Sequence, residues 1–124
     1  MGMAQGATLM QGEFTPTADT ITYDINVGKS ISYIVVQLKE AELQAGRRNV
    51  AMIGALFHDG GKDVFALAGN ATGTQYSSNS IWNKFNANVE SAVTENSGVY
   101  TFNASIIVNA GVFFSGVTYE WFAI

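Results

Sequence analysis

TITYDINVGKSISYIVVQL, residues 20–38, sets two kinds of strand end to end. In 20–27, Ile21, Tyr23, Ile25 and Val27 alternate with Thr20, Thr22, Asp24 and Asn26. That period-two pattern belongs to a strand with one face in a core and the other in water. Gly28 turns the chain. In 31–38 both faces are apolar, Ile31, Tyr33 and Val35 against Ile34, Val36 and Leu38, with Ser32 and Gln37 as the exceptions. A strand of a two-layer sandwich needs one such face, so the second set requires its own explanation.

The same two signals recur outward from this stretch at intervals of about ten residues, the spacing of an all-β sandwich or barrel. ATLMQGEF, 7–14, reads as a first strand ended by Pro16. NVAMIGALF, 49–57, is again two-sided: Val50, Met52 and Leu56 oppose Ile53, Ala55 and Phe57. HDGG supplies a tight turn and KDVFALAG, 62–69, returns as its hairpin partner. IWNKFNANVE, 81–90, alternates through Ile81, Phe85, Ala87 and Val89. After the turn signal TENSG, VYTFNASII places Tyr100, Phe102, Ala104 and Ile106 on one face. A last segment runs from Val112, and its end, GVTYEWFAI (116–124), puts Val117, Tyr119, Trp121 and Ala123 on one side and Thr118, Glu120, Phe122 and Ile124 on the other. An aromatic terminal strand of this kind is expected to be tied into a sheet.

Between the strands, KEAELQAG (39–46) is rich in helix formers and has room for two turns of helix capped by Gly46. GNATGTQYSSNS (69–80) is Gly, Asn, Ser and Thr throughout and reads as a long surface loop. The expectation is one domain over 1–124: an antiparallel β-sandwich of about eight strands, jelly-roll-like, with a closed barrel as the alternative.

Composition narrows the function classes. Hydrophobic residues make up 48% and charged residues 13% of the chain, the latter about half the usual share. With a net charge of −4 and Arg47–Arg48 as the one adjacent basic pair, a broad phosphate-binding face is not expected, so no nucleic-acid partner is assigned. Without cysteine there is no disulfide or thiolate metal site. MGMAQGATL lacks the pattern of a secretion signal, Gly6 stands where a myristoylation motif wants Ser or Thr, and no apolar run is long enough to span a bilayer.

Catalytic candidates are sparse. His58 with Asp59 and Asp63 offers the residue types of a metal site or acid/base pair, but Asp-Gly-Gly is a hairpin turn in its own right and the spacing of a calcium loop is missing. No Gly-x-Ser-x-Gly elbow or P-loop occurs. Asp24, Glu90, Glu95 and Glu120 fit solvated strand faces better than paired catalytic carboxylates. No catalytic residue, metal ligand or cofactor is therefore expected. Asn70-Ala-Thr and Asn103-Ala-Ser match the glycosylation triplet, but no secretion signal accompanies them.

Two sets of residues point to binding. Ile31, Tyr33, Val35, Met52, Leu56 and Phe57, on the two-sided strands, are the candidates for an oligomer or docking interface. Leaving four such side chains in water forgoes about 1.5–3 kcal/mol each, and patches of that size mark interaction sites. A cyclic trimer is the simplest closed assembly expected. Trp82 alternates with Lys84, Asn86 and Asn88, and with Tyr76 in the long loop it offers a stacking platform for a sugar ring.

FTPTADTITYDINVGKSISYIVVQLKE (14–40) resembles the opening of small all-β structural proteins of tailed bacteriophages, where a Thr/Tyr-rich strand leads through a glycine turn into an Ile/Val-rich one. SGVTYEWFAI (115–124) is similar to the glycine-then-aromatic strand that ends such chains. The turn at VGKS departs from tail and fibre versions in lacking their histidine and second glycine. The resemblance implies a virion component assembled in the host cytoplasm: a capsid decoration protein, a head-fibre subunit or a tail-associated module, with a capsid decoration or head-associated subunit contacting the major capsid protein or other virion proteins as the first choice. The alternative it implies is a receptor-recognition module of a fibre, binding a host glycan. It brings no catalytic residues.

Overall fold

The computed structural model describes residues 8–39, 49–72, 75–86, 88–107 and 111–124, and among these the chain is a β-sandwich of nine strands. They are β1 (Met10–Phe14), β2 (Thr22–Asn26), β3 (Tyr33–Leu38), β4 (Asn49–His58), β5 (Gly61–Thr72), β6 (Gln75–Trp82), β7 (Val93–Asn96), β8 (Val99–Asn103) and β9 (Tyr119–Ala123). One sheet has the order β1-β9-β3-β4-β5-β6 and the other β2-β8-β7, with every pairing antiparallel. The expected β-sandwich is therefore present.

The two patterns of 20–38 belong to different sheets. β2 lies in the small sheet and β3 in the middle of the large one, so Gly28 carries the chain across the sandwich instead of closing a hairpin. Gly28 and Gly98 both have positive φ, and the backbone N–H groups of Val27 and Gly28 donate to Gly98 O at 2.9 and 3.0 Å. A Cβ on Gly98 would lie 2.8 Å from the Gly28 carbonyl carbon, so a side chain there would force the two turns apart.

Register fixes which side chains meet in the core. β9 pairs Tyr119 with Phe14, and Ala123 with both Met10 and Ile34, so one face of the large sheet carries Phe14, Tyr119, Ala123, Ile34, Val36, Ile53, Ala55, Val64 and Ala66. Ile25, Tyr100, Phe102 and Val93 come from the small sheet to meet them. Aromatic rings bridge the layers: Phe14 stacks on Tyr23 at 3.5 Å between centroids and on Tyr119 at 5.2 Å, while Phe113 meets Tyr119 edge-on at 5.1 Å. Tyr119 is buried, and its hydroxyl oxygen accepts the Phe114 N–H at 2.9 Å, which satisfies both groups inside the core. Lys62, opposite Phe57 on the inner face, donates to the Val93 carbonyl of the small sheet.

Four sequence expectations change. GNATGTQYSSNS is mostly strand: the end of β5 and most of β6 pair through it, with a register shift between Ala68 and Gly69. Polar residues hold a strand there because the ladder with β5 satisfies the backbone, and an edge position tolerates their low propensity. IWNKFNANVE is strand only at Ile81 and Trp82. Beyond them Asn83 accepts the Phe85 N–H and Asn86 accepts the Asn83 N–H, each at 2.9 Å, and a 3-10 helix follows at Val89–Ala92. Asn side chains that bond nearby backbone compete with a sheet ladder, and here they win. TENSG narrows to a two-residue turn, Ser97-Gly98, because β7 takes Thr94, Glu95 and Asn96. The last strand begins at Tyr119, after a bridge between Thr20 and Phe113 and a turn at Gly116. The helix expected over 39–46 lies outside the described residues apart from Lys39.

Candidate functional site: the outer face of the large sheet

Alternation that buries Ile34, Val36, Ile53 and Ala55 sends Tyr33, Val35, Met52 and Leu56 to the other side. Register places Tyr33 opposite Leu56, Val35 opposite both Gly54 and Phe122, and Met52 opposite both Gln37 and Leu67. Phe65, opposite Gly54, and Ile81, opposite Leu67, extend the apolar surface across β9, β3, β4, β5 and β6. The described strands place no second sheet over this side.

Gly54 organises the centre. Its missing Cβ would lie 2.3 Å from the Phe65 ring, so Phe65 rests directly on the β4 backbone, a close approach that only glycine permits. Phe65 in turn lies nearly parallel to Tyr33, with ring centroids 6.3 Å apart. Val35 is 5% exposed and Leu56 48% exposed. The face thus carries its own packed layer of rings and aliphatic chains, yet it stays open at Leu56 and Ile81. Burial in this layer also pushes the Tyr33 hydroxyl pKa above its ordinary value.

Among the described residues, the charges on this face lie at its margins. At the β1–β9 margin, Glu13 and Glu120 are cross-strand neighbours, Lys39 pairs with Glu13, and Gln37 Nε2 donates to Glu120 Oε1 at 2.9 Å. A shallow recess of about 170 Å³ lies between them, lined by Gln11, Glu13, Glu120 and Phe122. At the opposite end of β4 and β5, His58 Nε2 is 3.5 Å from Asp63 Oδ2, and both side chains are half exposed. His58 Nδ1 lies 2.9 Å from the Asp59 carbonyl, and Asp59-Gly60 forms the two-residue turn. Among the described residues no group of three His, Cys, Asp or Glu side chains is placed to hold a metal ion.

Of the six interface candidates, Tyr33, Val35, Met52 and Leu56 share the outer face. Phe57 does not: it alternates inward and meets Tyr100 edge-on at 5.5 Å, and Ile31 also packs against the core. Both were assigned outward because a two-sided strand gives no signal of which set is the inner one. Of the sugar-stacking pair, only Trp82 has a described side chain. Trp82 pairs with Ala66 and packs against the core, so Ile81, at 72% exposure, is the outward residue. The Asn and Lys residues that had marked the Trp82 side as polar belong to the turn after β6. The Tyr76 side chain lies outside the described residues. Asn103 of the second glycosylation triplet is occupied in capping a 3-10 turn, its Oδ1 accepting the Ser105 N–H at 3.0 Å.

Sequence reasoning missed Phe65, Leu67 and Phe122 as members of the face. The signal was available for Phe65 and Leu67, since KDVFALAG alternates Val64, Ala66 and Ala68 against them.

No protein-family model matches the chain, and no curated protein or solved structure matches it.

Proposed function

We propose that the chain is a non-enzymatic structural subunit of a bacteriophage particle, a capsid decoration or head-associated protein, that docks through the outer face of its large sheet on another virion protein. One observation carries the docking: Tyr33, Met52, Leu56, Phe65 and Leu67, with Val35 buried among them, lie on one face of three adjoining strands, and among the described residues the charges on that face lie at its ends. Covering a Leu or Phe of this kind stabilises by about 1.5–3 kcal/mol, and an apolar centre with a polar rim is the anatomy of a protein–protein contact. The virion setting is supported by the resemblance of 14–40 and 115–124 to small phage structural proteins.

The partner surface that fits is apolar at its centre, with basic groups to meet Glu13, Glu120 and Asp63. Reinforcement of a shell then follows from burial repeated in many copies. The test is co-sedimentation of the tagged chain with particles from an infected culture. Wild-type chain is expected to sediment with them, and Leu56→Lys, which puts a second charge beside Asp63 at the most exposed apolar position of β4, is expected to stay in the supernatant while remaining folded. Wild-type chain absent from the particles contradicts the proposal.

A further inference from the structure

The sandwich has four sheet edges among the described strands, and they differ in one respect. β1, β2 and β7 are five, five and four residues long and carry Glu13, Asp24 and Glu95 respectively. Short length and charge are the usual devices that keep an open edge from pairing with another chain. β6 has neither. It is eight residues long, QYSSNSIW, and no charged residue occurs from Val64 to Asn83. No proline interrupts it.

We infer that β6 is a self-association edge, pairing antiparallel with β6 of a second copy of this chain across a two-fold axis. Alternate residues of an edge strand turn their backbone N–H and C=O away from the sheet, and what those groups recognise is another extended strand. The choice of a second copy follows from charge. β6 carries no charge, so it can lie against itself without bringing like charges into contact, and the net charge of −4 acts on the pair only as screened long-range repulsion. A two-fold contact also sets the same segment against itself, which a charged edge could not tolerate and β6 can. The turn that follows adds an apolar group beside the edge: Phe85 is 86% exposed, held by the Asn83 and Asn86 side-chain bonds, with Lys84 Nζ 5.8 Å from its ring centre. With strand ends aligned, Phe85 of each copy lies near the start of the other's β6. Pairing joins the two large sheets into one of twelve strands and sets their outer faces side by side through Ile81. An antiparallel edge closes on itself in a pair, so the assembly unit is a dimer rather than a cyclic trimer.

This inference concerns the sheet edge and does not rest on docking by the face. Sedimentation at micromolar concentration is expected to give twice the chain mass. Ser77→Lys and Ser78→Lys, each placing two lysines near the axis, are expected to give single-chain mass, although each lysine lowers the net negative charge and so weakens long-range repulsion. Leu56→Lys is expected to remain a dimer. A wild-type monomer, or a dimer that survives both lysine variants, overturns the edge contact; loss of the dimer in Leu56→Lys alone assigns self-association to the face instead. Hydrogen exchange on the unmodified chain supplies a second readout, independent of how the variants fold. The amides of 75–82 that do not bond to β5 are expected to gain protection as concentration rises, and equal exchange at all concentrations overturns the inference.

Discussion

Ile34, Ile53 and Ala55, on the inner face of the large sheet, are fully buried, while Leu56, the next residue along from Ala55, is 48% exposed on the outer face. The residue types on the two faces are alike. What separates them is the layer above: the inner face meets Phe102, Tyr100 and Val93 of the small sheet, while among the described residues the outer face carries its own rings lying across Gly54 and no second sheet. The difference shows that hydrophobic patterning marks a strand as able to be covered on both sides, whereas topology decides which side the chain itself covers. The other side is then available to a partner.

The comparison breaks most sharply at Ile53. Ile53→Ala is expected to cost about 2–5 kcal/mol, because the site is walled by β-strands and collapses poorly. Urea unfolding measures this through the transition midpoint. Tyr119→Phe comes next: it leaves the buried Phe114 N–H without its acceptor, a loss of about 1–3 kcal/mol. It also changes the pH profile. Burial, together with the Asp19 charge and against the opposing Phe114 hydrogen bond, pushes the Tyr119 hydroxyl up to about 12, compared with about 10 in an unfolded chain. Between these values the unfolded chain loses a proton that the folded one keeps, so stability is complete below pH 10 and is lost as pH rises toward 12. The variant is expected to show a shallower alkaline decline, read from melting temperatures across that range. Tyr23, Tyr33 and Tyr100 are also shifted upward by burial, so part of the decline remains.

On the outer face, Gly54→Val is expected to cost about 1–3 kcal/mol by displacing the Phe65 ring. That value is that of overpacking inside a core, so it measures how far the outer layer is packed. The smallest effect is expected at Leu56. Leu56→Lys faces Asp63 across the β4–β5 pair and should change stability by no more than about 0.5 kcal/mol, even though it removes docking.

Much of this contrast could be read before the fold was known. The alternation in 20–27 put Ile25 on the apolar face, and that face meets the core, whereas 116–124 set Tyr119 and Ala123 on a common side but carried aromatics on both and so did not say which side faces inward. β3 and β4 announced two apolar faces, but nothing local distinguished Phe57 from Leu56. The decision lies in the pairing of Ala55 with Ile34 and Val64, residues remote in sequence. β6 was misread because its Ser and Asn residues favour loops locally, while the ladder to β5 outweighs that preference. Trp82 followed from the same misreading, since extending the strand to Val89 made its side look polar.

The proposed docking requires an outer face that is open in the isolated chain and closed in an assembly. The chain has no cysteine, so Leu56→Cys introduces a single thiol at an exposed position of that face. Its reaction rate with a maleimide should be compared for the purified chain and for the same chain bound to particles. Rapid labelling of the purified chain and strong protection in the bound state are the predicted result. Equal labelling of both, with the chain still bound, would show that contact is made elsewhere and would contradict the account.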